Sequence, residues 1–375
     1  MSGCCRFSID LIPLAPNKNC AQDRKISEIC NHFGQCWVAI GASAARANLP
    51  GVDLDGVVKL DNLVDARRIS SKARRRRIAV VVGGGITALE IVEGLVAKGV
   101  KTHYFLRGER YWHNVLDETE SRIIENRLKD HGVKIHYHTE LEEILAGKDR
   151  VAGVRTKDGA KIRCNMVAIA IGIRPRIKIA QESGLQVERG ILVDEYLQTS
   201  TADVYAAGDV AQVYDPFTGK SVLDSLWGPA RQQGSVAGRN MAGASEAYSK
   251  LVAFNVTRLA GLTTTIVGTI GKGRDDDLIG IARGDSETWR QLPDAIIAQQ
   301  DFEVNRLRLM LGESTILGAI VMGDQTLSKP LHTMVSEKVD ITLIKSKLLE
   351  SKAPVADLIA EFWSRMKTAH APQFA

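Results

Sequence analysis

The stretch RIAVVVGGGITALEIVEGLVAKGVKTHYFL, from Arg77 to Leu106, has the order of elements of a βαβ unit. A short β-branched run is followed by a glycine turn, and apolar residues then recur at helical spacing. A second strand begins after the glycine that follows Lys98. Because parallel strands are joined by such crossover helices, the stretch predicts an α/β fold with a Rossmann-like sheet.

The glycine turn fits the pattern G-x-G-x-x-A between Gly83 and Ala88. In that pattern Gly83 makes the tight turn, Gly85 lets a pyrophosphate approach the backbone, and Ala88 lets the helix pack on the strand. The start of the helix adds N–H donors and the positive end of the helix dipole. We therefore predict a dinucleotide site; the alternative is a glycine turn with a structural role alone.

The end of the second strand bears on the choice between NADH and NADPH. A carboxylate at this point binds the ribose hydroxyls of NAD, whereas an arginine accommodates a 2′-phosphate. Here Arg107 follows Leu106 and no carboxylate takes that place, which favours NADPH. Glu109 lies two residues further along the chain and keeps NADH as the alternative.

The chain after this unit predicts a helix that ends at Gly132, a third strand, and a small antiparallel meander with a turn at Asp158-Gly159. His136 and His138 alternate along the third strand and are expected to share one face. A metal pair is the alternative, but no third ligand is nearby in the sequence. We interpret the two histidines as part of a surface strand face and predict no metal site.

The composition limits the class of protein. With 375 residues, the chain is expected to form two or three domains. The net charge is +5, and the basic run from Lys72 to Arg77 leads directly into a strand, so we interpret it as a solvated strand entry that could steer an acidic redox partner. We predict no nucleic-acid site. No signal sequence and no run of membrane-spanning length is visible, which predicts a cytoplasmic protein without membrane insertion.

The first 36 residues differ from the rest of the chain because five of the six cysteines lie there. Their spacing lacks paired C-x-x-C knuckles, so a metal site is not favoured. We interpret residues 1–36 as an irregular leader with reduced thiols.

Five segments follow one another along the chain: VAIGASAARANLPG from Val38, VVVGGGITALE from Val80, AIAIGIRPRIKIAQESGL from Ala168, GILVDEYLQTSTADVYAAGDVAQV from Gly190, and LWGPARQQGSVAGRNMAG from Leu226. Their order resembles the FAD-dependent pyridine nucleotide-disulfide oxidoreductase superfamily. Within it, the chain looks more like the branch that contains the flavoprotein portion of nitrite reductases, rubredoxin and ferredoxin reductases, and NADH oxidases.

The resemblance implies a domain order in which an NAD(P)-binding domain is inserted into a partial FAD-binding domain. An antiparallel α+β domain would follow, build a homodimer interface and cover the flavin. The implied boundaries are 37–70 with 190–248 for the FAD-binding part, 71–189 for the NAD(P)-binding domain, 249–345 for the dimerisation domain and 346–375 for a C-terminal helix.

The resemblance also implies roles for residues on the cofactor side. Gly41 and Gly172 would lie in the two hinge segments between the domains, each close to a nucleotide. Glu90 would lie near the nicotinamide. Gly208 and Asp209 would end a strand at the flavin, where a carboxylate suits the ribityl or pyrophosphate region; the alternative for Asp209 is a helix N-cap.

A helix opened by Pro229 and Ala230 is expected to present N–H groups to the pyrimidine edge of the flavin and to stabilise negative charge there. The implied chemistry is hydride transfer from NAD(P)H to FAD and electron passage to an acceptor. A small redox protein is one candidate acceptor. Nitrite, rubredoxin, ferredoxin, oxygen and quinone all stay open.

In the family, an earlier βαβ unit with its own glycine fingerprint binds the ADP half of FAD. No such unit is visible before Trp37, where residues 1–36 hold only Gly3 and Gly34. A gene fragment with an unrelated leader is the preferred explanation. A split protein completed by a second chain is another, and a non-catalytic NAD(P)-binding or assembly subunit without flavin is the third. Loss of the unit is expected to expose the strand around Val38–Ile40.

Overall fold

The computed structural model describes residues 34–215, 219–270, 296–302, 305–350 and 353–369. The predicted leader of residues 1–36 therefore lies almost wholly outside the described residues. The helices are α1 Leu63–Lys72, α2 Ile86–Ala97, α3 Glu118–Asp130, α4 Lys178–Glu182, α5 Trp227–Met241, α6 Ser328–Ser336, α7 Thr342–Leu348 and α8 Val355–Ala369.

Twenty strands alternate with these helices in the described ranges. They are β1 Cys36–Val38, β2 Ala42–Ala44, β3 Val57–Val58, β4 Ile78–Val82, β5 Lys101–Phe105, β6 Lys134–His136, β7 Leu141–Gly147, β8 Arg150–Thr156, β9 Lys161–Arg163, β10 Met166–Ile169, β11 Ile173–Pro175, β12 Ile191–Leu192, β13 Val204–Ala206, β14 Ala211–Asp215, β15 Lys220–Leu223, β16 Phe254–Leu259, β17 Leu262–Gly268, β18 Ile296–Phe302, β19 Asn305–Leu311 and β20 Ile316–Met322.

A parallel five-stranded sheet, in the order β3-β10-β4-β5-β6, forms the nucleotide module. Its central strand β4 is β-branched and pairs with strands on both sides, so its residues Ala79, Val80 and Val81 are fully buried. Helix α2 crosses from β4 to β5 and buries Leu89 and Leu95 against the sheet. The predicted α/β fold with a Rossmann-like core is confirmed.

Strands β7, β8 and β9 form an antiparallel meander that leads into β10. Gly159 follows Asp158 in the predicted turn with a φ of +86°, a conformation that favours glycine. Helix α3 ends before Gly132, whose φ is +81°. The helix, the meander and its turn are therefore where the sequence predicts them.

A second module contains β1 and β13, which pair in parallel with Val38 opposite Ala206. The strand ends at Val38, two residues earlier than the predicted end at Ile40. A three-stranded sheet in the order β12-β14-β15 and helix α5 complete the module. Its core is formed by Val204, Val210 and their neighbours.

Two antiparallel strands, β2 and β11, connect the two modules. Gly41 and Gly172 precede these strands with φ values of +66° and +117°. The amide of Ala45 donates to the Gly172 carbonyl at 2.8 Å, and the amide of Arg176 donates to the Gly41 carbonyl at 3.0 Å. Both predicted hinge glycines thus lie at the ends of one two-stranded connection.

The C-terminal part contains an antiparallel sheet in the order β16-β17-β20-β19-β18 and the helices α6, α7 and α8. The segment predicted as one C-terminal helix from residue 346 differs, because α7 ends at Leu348 and α8 begins at Val355. Pro354 explains the new start, since proline fits the beginning of a helix and not its interior.

The C-terminal sheet packs on helices α2 and α3 of the nucleotide module. One hydrophobic core contains residues of both parts, among them Leu89, Leu95, Ile124, Leu259, Leu262, Ile266, Met310 and Ile320. The turn between β16 and β17 adds two hydrogen bonds: Gly261 N–H donates to Glu93 at 2.9 Å, and Arg127 Nε donates to the Ala260 carbonyl at 2.8 Å. This packing was not predicted from the sequence.

Candidate functional site

The turn from β4 into α2 is built around a close backbone approach. Gly83 has a φ of +144°, and a Cβ atom there would lie 2.1 Å from the carbonyl oxygen of Ala170. The fully buried Ala88 packs at the same place, because its Cβ atom lies 3.2 Å from the position that a Cβ atom at residue 83 would take. Gly83 and Ala88 therefore play the packing roles that the fingerprint predicts.

The first turn of α2 is open to an anion. Gly85 is its N-cap, is extended and carries no side chain that could satisfy the N–H groups beyond it. No acidic residue lies in the first turn. Donors and the positive end of the helix dipole thus converge at this turn without a charge to oppose a phosphate.

A cavity of about 450 Å³ lies between this turn and the loop that follows β5. Its walls combine apolar groups near the glycines with cationic and polar groups near the loop. The lining residues are Ala47, Leu49, Val82, Gly83, Gly84, Gly85, Phe105, Leu106, Arg107, Gly108, Arg110, Trp112, His113, Asn114, Thr139, Glu140, Leu141, Ile169 and Ile171. The cavity thus joins the predicted pyrophosphate turn to Arg107.

The charges at the loop end of the cavity favour a 2′-phosphate. Arg107 is exposed and has no hydrogen bond or ion pair within the described residues. Glu109 does not line the cavity, and its carboxylate is held by Arg110. Glu140 is bound by Lys157, which, together with the positive charge of Arg107, holds the pKa of the Glu140 carboxyl below its ordinary value. Among the charged side chains that line the cavity in the described ranges, Arg107 is therefore the one without a hydrogen-bonded partner.

The loop after β5 holds three cavity residues that sequence reasoning missed: Trp112, His113 and Asn114. Trp112 is buried and has a φ of +50°. The loop is fixed at Tyr111, whose amide donates to Glu125 Oε1 at 2.8 Å. No sequence pattern marked these residues, because their position depends on contacts with α3.

Glu90 does not line this cavity. It lies on the exposed side of α2, one turn after the glycine fingerprint. The structure therefore places Glu90 near the start of the same helix but does not bring it together with Arg107. Its predicted role at the nicotinamide stays a prediction.

The strand β13 ends in a short 3₁₀ turn, Gly208–Val210. Gly208 has a φ of +76°, and its N–H donates to Oε1 of the buried Gln233 on α5 at 2.7 Å. Asp209 is half-buried within this turn and does not cap α5, so the alternative reading as an N-cap of that helix is not supported. The carboxyl of Asp209 stands at the carboxyl end of a parallel strand, where ligands bind in α/β sheets.

Helix α5 begins earlier than predicted. Its first residue is Trp227, and the amide of Ala230 already donates to the Leu226 carbonyl at 3.0 Å. Pro229 has no N–H, so helical geometry assigns the free donors of the first turn to Trp227 and Gly228. The helix therefore starts two residues before the predicted opening at Pro229 and Ala230, and the role of its first turn at a flavin edge stays a prediction.

A buried polar cluster lies next to the Asp209 turn and was not predicted. Asp215 and Asp224 are both buried, and Lys250 Nζ lies 3.8 Å from Asp215 Oδ2. Burial raises the pKa of the Asp224 carboxyl, Lys250 opposes this, and the like charges of Asp215 and Asp209 add to it. Burial also raises the pKa of Tyr248 to about 12. Lys250 thus interacts electrostatically with two buried carboxyls.

The described residues offer partners for one half of FAD. The Asp209 turn and the open first turn of α5 suit the ribityl chain and the ring. In the described ranges, the one glycine-rich strand–turn–helix unit is that of β4 and α2, and β1 pairs with β13 alone. The described residues therefore fit the ring half of FAD, but they include no second glycine-rich turn that could bind the ADP half.

His136 pairs with a histidine that the sequence did not single out. Nε2 of His136 lies 2.9 Å from Nδ1 of His103 on the neighbouring strand, and the rings stack at 5.1 Å. His138 lies beyond the end of β6 with a φ of +49°, so the prediction that it shares a strand face with His136 is wrong. No group of three potential metal ligands occurs in the described part of the chain.

The fold and these sites define a two-module α/β nucleotide-binding protein. The chain belongs to the pyridine nucleotide-disulphide oxidoreductase family, whose family model matches residues 20–234. This confirms the resemblance inferred from the sequence, and it agrees with the predicted cofactors, FAD and NAD(P)H. None of the helices in the described ranges is long and apolar enough to cross a membrane.

Curated relatives are similar over part of their length. The chain is 37% identical over 241 residues to an NAD(P)H sulfur oxidoreductase (CoA-dependent) of Pyrococcus abyssi, covering 60% of the chain and 53% of that protein. It is 26% identical over 311 residues to nitrite reductase [NAD(P)H] of Bacillus subtilis, covering 83% of the chain and 36% of that protein. The chain thus spans about half or less of these relatives.

Solved structures share the fold. A ferredoxin reductase from Rhodopseudomonas palustris superimposes with a TM-score of 0.73 at 21% identity, covering 87% of this chain and 75% of that one. A NAD-dependent persulfide reductase from A. fulgidus gives a TM-score of 0.72 at 22% identity, covering 90% of this chain and 64% of that one.

Substitution of Gly83 by alanine tests the nucleotide turn. A Cβ atom would meet the Ala170 carbonyl at 2.1 Å, so we expect Gly83→Ala to lower the free energy of unfolding by about 2 kcal/mol or more and to abolish nucleotide binding. Gly84→Ala is the matched control, because no atom lies within 4 Å of its Cβ position. Denaturant unfolding measures the stability of the two variants. Equal stability of the two variants would contradict the packing role.

The histidine pair predicts a pH dependence of stability. Burial lowers the pKa of both rings, and His136 and Lys134 lower that of His103 further. The unfolded chain therefore binds more protons below about pH 6.5, and stability must fall as the pH falls through that window. We expect His136→Gln to reduce this slope in pH-dependent urea unfolding. An unchanged slope in His136→Gln would disprove the assignment.

Proposed function

We propose that this chain binds NADPH and serves as an FAD-dependent NAD(P)H oxidoreductase. The observation that carries the proposal is the single cavity that joins the Gly83 turn to the unpaired Arg107. The turn supplies donors for the pyrophosphate, and Arg107 supplies a positive charge for the 2′-phosphate. The hinge of β2 and β11 connects this site to the module with Asp209.

The chain's own residues would position and shield the reactants. Ile169 and Ile171 form an apolar wall next to the glycine turn, and this wall excludes water from that part of the cavity. Asp209 would hold the ribityl region, and the amides of Trp227 and Gly228 would donate to the ring edge. When bound, FAD supplies the chemistry of accepting a hydride from NAD(P)H and passing the electrons on.

We propose a small redox protein as the electron acceptor. NADH-rubredoxin oxidoreductase of Clostridium acetobutylicum supports this, since the chain is 25% identical to it over 309 residues and covers 71% of its length. The homodimer implied by the family is proposed as well. Phe254 and Val256 are exposed on the edge strand β16 and supply an apolar surface for it. Sedimentation equilibrium tests the dimer, and a monomer at micromolar concentration contradicts it.

Nucleotide choice is tested at Arg107. A charged hydrogen bond to phosphate contributes about 1.5–3 kcal/mol, so Arg107→Gln should weaken NADPH binding by about 10- to 100-fold and leave NADH binding unchanged. Isothermal titration calorimetry with both nucleotides measures this. The exposed Arg163→Gln, on β9, is the control. Equal losses for NADH and NADPH would show that Arg107 does not read the 2′-phosphate.

Flavin binding is tested by colour and by Asp209. We expect the purified protein, or the protein after incubation with FAD, to show a flavin band at about 450 nm. Asp209→Ala should weaken flavin retention and leave NADPH binding at Gly83 intact, because Asp209 lies in the other module. Asp149→Ala, in the exposed turn between β7 and β8, is the control.

The outcomes separate the two candidate functions. A colourless protein that takes up no FAD but binds NADPH would overturn the flavoprotein assignment and favour the NAD(P)-binding or assembly subunit. That rival is supported by the lack of a cradle for the ADP half among the described residues. Equal loss of flavin and NADPH in Asp209→Ala would indicate misfolding instead of a site.

A further inference from the structure

Strand β19 presents two buried arginines to the nucleotide module. Leu307 and Leu309 pack with the C-terminal helices, while Arg306 and Arg308 lie on the opposite face of the same strand. Both arginine residues are only 3% exposed. The polar face of this strand is therefore an internal contact between two parts of the chain.

Arg308 bridges two groups of the nucleotide module. Its Nε donates to Glu120 Oε1 at 2.9 Å, and its Nη2 donates to the carbonyl oxygen of Val115 at 2.7 Å. Glu120 has no exposed surface. Because an arginine offers its donors in a fixed planar fork, this pair of bonds sets the position of Val115 relative to the start of α3.

The start of α3 is also held by its own capping residues and by Arg306. Asp117 and Glu120 form a capping box at the start of α3, in which each side chain accepts from the backbone N–H of the other at 2.8 Å. The second oxygen of each carboxylate faces the C-terminal sheet. Asp117 Oδ2 accepts from Arg306 Nη2 at 2.7 Å, and Glu120 Oε1 accepts from Arg308.

The clamped residues directly follow the nucleotide cavity. His113 and Asn114 line the cavity, and Val115 is the next residue. At its other end the loop begins at Arg107, two residues after the end of β5. The middle of the loop is held to α3 by the bond between Tyr111 and Glu125. The last part of the loop is held to the C-terminal sheet by the bond from Arg308 to Val115.

The electrostatics make this clamp sensitive to the loss of either partner. Burial raises the pKa of the Glu120 carboxyl, and the charge of Arg308 opposes that effect. Removing Arg308 would leave a buried carboxyl with part of its compensation gone and a carbonyl without its donor. The Val115 carbonyl would then lose its hydrogen bond to the C-terminal sheet, while the Val115 amide keeps its bond to the Trp112 carbonyl.

We propose that Arg308 is a positioning residue for the nucleotide: by holding Val115 and Glu120, it fixes the loop 107–116 against which the adenosine end of the dinucleotide binds. The C-terminal sheet thereby takes part in nucleotide binding without touching the ligand. The proposal rests on the proposed function, because it requires a nucleotide in this cavity.

The test measures nucleotide-fragment binding to the full chain by isothermal titration calorimetry. The probes are adenosine 2′,5′-bisphosphate and ADP-ribose, so that the measurement depends neither on flavin nor on the choice between NADH and NADPH. Arg308→Lys keeps the charge but loses the fork, and we expect affinity about tenfold weaker. Arg308→Met should weaken it further. Arg258→Met is the control, because Arg258 is exposed on another strand of the sheet and has no hydrogen bond or ion pair within the described residues.

A double variant separates positioning from stability. In Glu120→Gln/Arg308→Met the charges of Glu120 and Arg308 are removed together, Arg306 keeps Asp117 as its partner, and the glutamine can still cap the helix, so the unfolding midpoint should recover relative to Arg308→Met. The donor to Val115 is still missing, and we therefore expect the affinity to stay low. Recovery of affinity together with stability would reduce Arg308 to a structural role and overturn the proposal.

Two further results are decisive. Wild-type affinity in Arg308→Lys and in the double variant, with both proteins folded by circular dichroism, overturns the positioning role and leaves the proposed function intact. A wild-type chain that binds neither probe overturns the nucleotide site itself and the positioning role with it.

Discussion

The nucleotide turn and the hinge depend on one backbone contact. The carbonyl of Ala170 occupies the space where a side chain at residue 83 would lie, and the Ala170 amide donates to Val82 at 2.9 Å. Two residues later, Gly172 directly precedes the hinge strand β11, and its carbonyl accepts from the Ala45 amide. The same stretch of chain therefore sets how closely α2 approaches β10 and where the chain leaves for the other module. Glycine at residue 83 makes both possible.

The elements that the sequence predicts best are those whose partners lie nearby in the chain. The β4–α2–β5 unit and the Asp158-Gly159 turn follow from apolar periodicity and from glycines with a positive φ. The pairing of β1 with β13 joins distant segments, and it was not predicted from the sequence. The end of β1 and the start of α5 were misplaced by two residues, because local patterns define element boundaries poorly.

The parts that the sequence could not reveal depend on contacts between distant surfaces. Arg306 and Arg308 alternate with leucines along β19, and the face that carries the two arginines is buried against the start of α3. Trp112 enters the cavity wall through a backbone conformation that no local pattern required. His103 contacts His136 because of the register in which β5 and β6 pair, and the local sequence around either histidine does not reveal that register.

The buried acids beside the Asp209 turn bear on the charge that a flavin would meet. Lys250 can neutralise one of the two buried carboxyls, and Asp215 is the one that it approaches at 3.8 Å. Burial and the nearby like charges of Asp215 and Asp209 raise the pKa of the Asp224 carboxyl, whereas the charge of Lys250 lowers it. Asp209 is the half-exposed carboxyl of this group and stands at the end of β13, so a flavin bound at this strand end would meet that carboxyl first.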